Sequence, residues 1–182
     1  MTPLLFPDNT VLINFALISR VDLLERIANT NGRWCGTVAS ECARSSLEPG
    51  LGDLQQMPAI FGEPLRPGTG AEHLDIRLLR DDLAQPGDPP HRHLGEAETL
   101  AIMLRRNLNG VFVTDDRSAG RLATSRGIRV VTTWSLLKLA TTAKLIDADA
   151  AWGYVQTLMR LGRGRPPGVI DRRAFDRWLD PS

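Results

Sequence analysis

Apolar residues along the chain fall into two rhythms, short unbroken runs and stripes at helical spacing, and the two alternate. LLF at 4–6, GVFVT at 110–114 and IRVVTT at 128–133 are short apolar runs and read as buried strands. RWCGTV at 33–38 is a further strand candidate. Between the runs, VLINFALISRVDLLERIAN carries Val11, Leu12, Phe15, Val21, Leu24 and Ile27 at helical spacing, which predicts two helices with a break near Ser19. VASECARSS (38–46) reads as a helix. EHLDIRLLRDDLAQ predicts a helix with Leu74, Leu78 and Leu79 on one face. LGEAETLAIMLRRNL (94–108) places Ala97, Leu100, Ala101, Leu104 and Leu108 on one stripe. DRSAGRLATSRG predicts a helix closed by Gly127, and TWSLLKLATTAKLI another. DADAAWGYVQTLMRLG and DRRAFDRWL complete the set, joined by an RGRPPG loop. Two segments rich in proline and glycine, 62–70 and 86–93, read as loops within the fold and not as domain boundaries.

Strands alternating with helices imply parallel pairing with helices on both faces. In such sheets, ligands bind outside the carboxyl ends of the strands, where the strand order reverses. The chain has 182 residues, which suits one domain, 1–182, with a core over about 1–146 and a helical C-terminal extension over 147–182. Hydrophobic residues make up 42% of it, so a folded core is expected and disorder is not. Net charge is +1, so no global basic field points to nucleic acid. A local basic surface remains open, because Arg160, Arg163, Arg165, Arg172, Arg173 and Arg177 crowd the C-terminal part. Cys35 and Cys42 are too few for a disulfide framework and read as reduced thiols of a cytoplasmic protein. MTPLLFPDN has no basic segment leading into a long apolar stretch, so no signal peptide is expected. No apolar run approaches about 20 residues, so no membrane span is expected.

The chemistry lies in acids at strand exits. Asp8 follows the first strand, and Asp115 and Asp116 follow a later one. Glu96 opens the helix that leads into that later strand, and Glu41 lies on the helix after RWCGTV. Taken singly, Asp8 or Asp116 reads as a helix N-cap, Glu41 as a solvated residue and Glu96 as a partner of a helix dipole. Taken together they point elsewhere. Carboxylates brought close raise one another's pKa unless a cation neutralises them. An all-oxygen set favours Mg²⁺ or Mn²⁺ over zinc.

PDNTVLINFALISRVDLLERI, TVASECARS, LGEAETLAIML and VFVTDDRSAGRLATSRGIRVVTTWSLLKLA occur in that order between about Asp8 and Ile146. In these four segments the chain resembles the PIN domain, the metal-dependent ribonuclease fold of VapC-type toxins, and within it a PIN-related subgroup with a GEAE motif. The resemblance implies a three-layer α/β/α fold with a central parallel sheet. It implies an Mg²⁺- or Mn²⁺-dependent endoribonuclease with one or two ions held by Asp8, Glu41, Glu96 and Asp116. Thr10 and Thr114 would hydrogen-bond the ligands or a water. Water attack on the phosphodiester would leave a 5′-phosphate and a 3′-hydroxyl.

Glu96 is preferred to Glu98 because the family's third acid has a small residue five positions on. Glu96 has Ala101 there, and Glu98 has Met103. Asp116 is preferred to Asp115 because the fourth acid follows a Thr or Ser by two, and Thr114 stands there. Glu98 and Asp115 stay as supporting or alternative ligands. Arg117 and Arg121 are the cations closest in sequence for RNA contact, with a solvated helix face as the competing reading.

The resemblance further implies the toxin of a toxin–antitoxin pair, with an antitoxin protein as partner and a homodimer as the assembly. One departure is Pro7, where the family carries an apolar residue. Proline lacks an N–H, so β-pairing is expected to stop one residue early or Asp8 to tilt. A catalytically weak PIN-fold module that binds RNA or protein is the alternative. A doubly wound phosphoacceptor domain fits less well, for want of a glycine-rich phosphate loop. His91 and His93, as HRH in a proline-rich loop, make an incomplete metal site and are set aside. Cys35, Cys42 and the tryptophans at 34, 134, 152 and 178 read as core or interface packing.

Overall fold

Three short parallel strands carry the layers in the computed structural model, which describes residues 3–180. They are β1 (Leu4–Pro7), β2 (Gly110–Val113) and β3 (Arg129–Val131), hydrogen-bonded in the order β1-β2-β3. Leu4 pairs with Gly110 and Pro7 with Val113; Val111 pairs with Arg129 and Val113 with Val131. Between β1 and β2 run α1 (Asn9–Leu17), α2 (Val21–Ala28), α3 (Gly36–Ser45), a 3-10 turn (Gly52–Gln56), α4 (Met57–Phe61), α5 (Gly70–Leu83) and α6 (Leu94–Arg105). α7 (Arg117–Ser125) joins β2 to β3. After β3 come α8 (Thr133–Thr142), α9 (Ala148–Arg160) and α10 (Arg172–Leu179).

Side chains alternate across the sheet and build two cores. Leu5, Val113 and Val131 face α1, α2, α3 and α8, where Leu12, Phe15, Leu24, Val38 and Leu137 are buried. Phe6, Phe112 and Val130 face the other way, toward Leu79, Leu83, Leu100, Ala119 and Ala123 of α5, α6 and α7. This is the three-layer α/β/α arrangement with a central parallel sheet. α9 and α10 extend the first core through Ala151, Val155, Leu158 and Phe175.

The structure differs from the sequence pattern in four places. RWCGTV is not a strand. It contributes the isolated bridge Cys35↔Leu65 and, at Gly32 just before it, Leu5↔Gly32, because α3 already begins at Gly36. Between 47 and 61 the pattern signals no element, yet the 3-10 turn and α4 bury Leu54, Met57 and Phe61. On α5 the face toward the core is Leu79 and Leu83, while Leu74 and Leu78 are 49% and 56% exposed.

The fourth concerns Pro7. β1 runs through it without interruption. Leu4 and Asp8 donate their N–H groups to Asn109 and Val113 on the β2 side, and Leu5 donates to Asn31 on the other. Strand N–H groups alternate between sides, so that of position 7 would point away from β2. The missing donor costs no ladder bond. The bond from Asp8 N–H to the Val113 carbonyl, 2.9 Å, fixes the strand exit.

Candidate metal centre at the carboxyl ends of the strands

The strand order has no reversal among the described residues, so the site does not arise as expected for a doubly wound sheet. It arises because the helices leaving neighbouring strands part. α1 leaves β1 onto one face of the sheet, and α7 leaves β2 onto the other. The gap between their first turns is a hollow of about 480 Å³. Asp8, Glu41, Glu96 and Asp116 all line it, with Asn9 and Thr10. They come from the N-cap of α1, the middle of α3, the first turn of α6 and the N-cap of α7.

Asp8 is 4% exposed and held at both oxygens. Its Oδ1 accepts the Val11 N–H at 2.8 Å, and its Oδ2 accepts the Thr114 hydroxyl at 2.5 Å. Burial, helped by Glu96 and Asp115, pushes its pKa up to about 7 against the pull of those two hydrogen bonds. Thr114 Oγ1 in turn accepts the Asp116 N–H at 3.0 Å, so one threonine links both strand-end acids. Asp116 Oδ1 accepts the Ala119 N–H at 2.7 Å, and no described donor is bonded to its Oδ2. The N-cap reading of Asp8 and Asp116 is therefore correct for one oxygen of each.

Glu41 is half-buried. Burial first, then Glu96 and Glu98, raise its pKa to about 7, with Arg44 opposing. Its approach depends on Gly95: a Cβ there would lie 2.9 Å from Glu41 Oε2 and 3.2 Å from Val38 Cγ2.

The two doubtful acids stand apart from the hollow. Asp115 accepts from Asn14 Nδ2 at 2.8 Å, from the Thr133 N–H at 2.9 Å and from the Thr133 hydroxyl at 2.5 Å, tying β2 to the start of α8. Glu98 turns to the N-terminus of α3, where Oε2 accepts the Thr37 N–H at 2.6 Å. Arg117 and Arg121 are exposed on α7 and do not line the hollow. His91, Arg92 and His93 do line it, although the HRH motif was set aside. Its signal in the sequence was the spacing of His93 to Glu96, three residues apart across a helix start.

Asn9 is a further residue the motifs did not mark. Its Nδ2 donates to Ser45 Oγ at 3.1 Å, while its buried Oδ1 finds no donor among the described residues. A buried amide oxygen without a partner on the wall of an acidic hollow fits a bound cation or its water. The acids and Asn9 offer carboxylate and amide oxygens, which suit a hard divalent ion, while His91 and His93 add imidazole nitrogens to the same wall. Among the described residues no three His, Cys, Asp or Glu side chains already stand as a closed cage. The residues fit the group as separate ligands around a hollow, not as a finished socket.

The chain matches a family model described as a PIN domain (DUF3368) over residues 6–172, and it belongs to that family. PIN domains are nuclease-type folds that generally use divalent metal ions. No curated protein and no solved structure matches the chain. No helix among the described residues is long and apolar enough to cross a membrane.

Proposed function

We propose that this protein is an Mg²⁺- or Mn²⁺-dependent endoribonuclease of the VapC-like kind, within the PIN-related subgroup that carries GEAE. The observation that carries the reading is the meeting of Asp8, Glu41, Glu96 and Asp116, from four separate segments, on one hollow. These four carboxylates would hold the ion, with Asn9 Oδ1 beside them. When bound, the ion supplies Lewis acidity and charge neutralisation for phosphodiester hydrolysis.

The chain's own residues do the positioning. Thr114 fixes Asp8 and Asp116 to one another, and the N-termini of α1, α6 and α7 direct positive dipole ends toward the acids. Burial raises the pKa of Asp8 and of Glu41 to about 7, and a cation held between them would favour their charged forms. A toxin role with an antitoxin partner, a homodimeric assembly and a cytoplasmic location complete the proposal, on the strength of the family alone.

The test is thermal. Mn²⁺ should raise the melting temperature of the wild type and leave Asp8→Asn/Asp116→Asn nearly unmoved; 100-fold saturation is worth about 2.7 kcal/mol. A flat response in both proteins removes the metal centre. The alternative, a PIN-fold binding module without strong catalysis, is favoured by the open ligand arrangement. A wild type that takes Mn²⁺ and binds a generic single-stranded RNA without cutting it would establish that alternative.

A further inference from the structure

The HRH segment faces the acids across the hollow. His91, Arg92 and His93 share its wall with Asp8, Glu41, Glu96 and Asp116. The loop that brings them is held at several points. Asp88 accepts the Gln85 N–H at 2.8 Å and pairs with Arg92 at 3.1 Å. Arg80 Nη2 donates to the Pro89 carbonyl at 3.0 Å, tying the loop to α5. His93 turns the chain into α6 at φ 65°, a left-handed conformation that costs a residue with a side chain about 1–2 kcal/mol. Its ring is 9% exposed and lies 3.6 Å from Asp88 and 3.7 Å from Glu96. A strained, covered residue between two carboxylates is a fixed post for the loop.

The rest of the wall carries negative charge, and a phosphodiester strand approaching it is repelled unless cations flank the acids. Arg117 and Arg121 do not reach the wall, whereas Arg92 does. The Arg92 side chain is 59% exposed, and its one ion pair is to Asp88, whose carboxyl is covered and also accepts the Gln85 N–H. The exposed side of that guanidinium is open to a phosphate, which it binds in a two-pronged fashion.

We propose that Arg92, with His91 beside it on the loop post of His93, is the binding site for the RNA sugar–phosphate backbone at this hollow. The site rests on the ribonuclease reading above and adds the substrate contact to it. Contacts of this kind supply affinity and alignment without choosing a base.

Binding of a labelled single-stranded phosphorothioate RNA in Mn²⁺, followed across a salt series, tests it. Arg92→Gln should weaken binding by about three- to tenfold and lower the salt slope by about one contact's worth, ~0.7. Its Mn²⁺-induced melting shift should match the wild type, which shows the hollow intact. Arg92→Lys should recover most of the salt slope, and Arg117→Gln/Arg121→Gln should change neither quantity. Wild-type affinity and slope in Arg92→Gln overturn the proposal while leaving the ribonuclease reading in place. A wild type that shows no Mn²⁺ shift, or binds no RNA, sinks that reading and the Arg92 site with it.

Discussion

Two sets of carboxylates lie within one or two residues of each other in sequence and have opposite fates. Asp115 and Glu98 are tied off away from the hollow: Asp115 accepts three hydrogen bonds and Glu98 one, at Oε2, and each joins two elements. Asp116 and Glu96 line the hollow beside Asp8 and Glu41. On the proposed function, the contrast separates a structural acid from one kept for a cation. A carboxylate turned to the N–H or hydroxyl of another element serves as a tie within the fold. A group of them gathered on one hollow repel one another unless protonated or neutralised by a cation, and this repulsion adds to the burial that raises the pKa values of Asp8 and Glu41.

The largest effect should come from breaking a tied-off acid. Asp115→Ala takes the acceptor from both Thr133 donors and leaves Asn14 Nδ2 with only the Thr133 hydroxyl oxygen, at 3.1 Å. Asn14 is fully buried and also accepts from Arg163 Nε at 2.7 Å, so the loss spreads from α8 to the segment after α9. Unfolding in urea should show a loss of about 2–3 kcal/mol. Asp116→Asn keeps an oxygen to cap α7 and should cost well under half of that, while abolishing most of the Mn²⁺ shift. Equal destabilisation by the two substitutions would erase the distinction drawn here.

Gly95→Ala tests the hollow at its narrowest packing. Alanine improves the helix by about 0.5–1 kcal/mol. The added Cβ must displace Glu41 Oε2 and press on Val38. The two effects oppose, so net stability should change by about 1 kcal/mol or less, yet Glu41 is pushed from its place. The Mn²⁺ concentration giving half the melting shift should rise several-fold. An unchanged midpoint would take Glu41 out of the ligand set.

Much of this was legible in the sequence, and the reason is local. The strands at 4–7, 110–113 and 129–131 and the helices around them follow from periodicity and from caps such as Asp8, Asp116, Thr132 and Asp147, each of which accepts an N–H of its helix. What escaped depends on distance. The 3-10 turn and α4 carry too short a pattern to announce themselves, and they are held by burial of Leu54, Met57 and Phe61. Asn9 gains meaning only once Ser45 takes its amide nitrogen. In the sequence Arg92 belongs to a proline-rich loop, whereas Arg117 is next to Asp116 in the chain. Proximity along a helix does not decide which way a side chain faces; the parting of α1 and α7 does.

The smallest expected effect is also the sharpest test of that last point. Glu96 and Glu98 are two apart on α6, and helical geometry sends them to different sides. Glu98→Gln keeps a carbonyl oxygen for the Thr37 N–H and loses only the charge at the start of α3, worth about 0.3–1 kcal/mol. Its Mn²⁺ shift should equal that of the wild type. Glu96→Gln should melt at nearly the wild-type temperature without metal and lose most of its shift with it. If the outcomes are exchanged, the cation sits on the α3 side of α6, in the crevice lined by Thr37, Ser40 and Arg66, and the ligand set must be redrawn around Glu98.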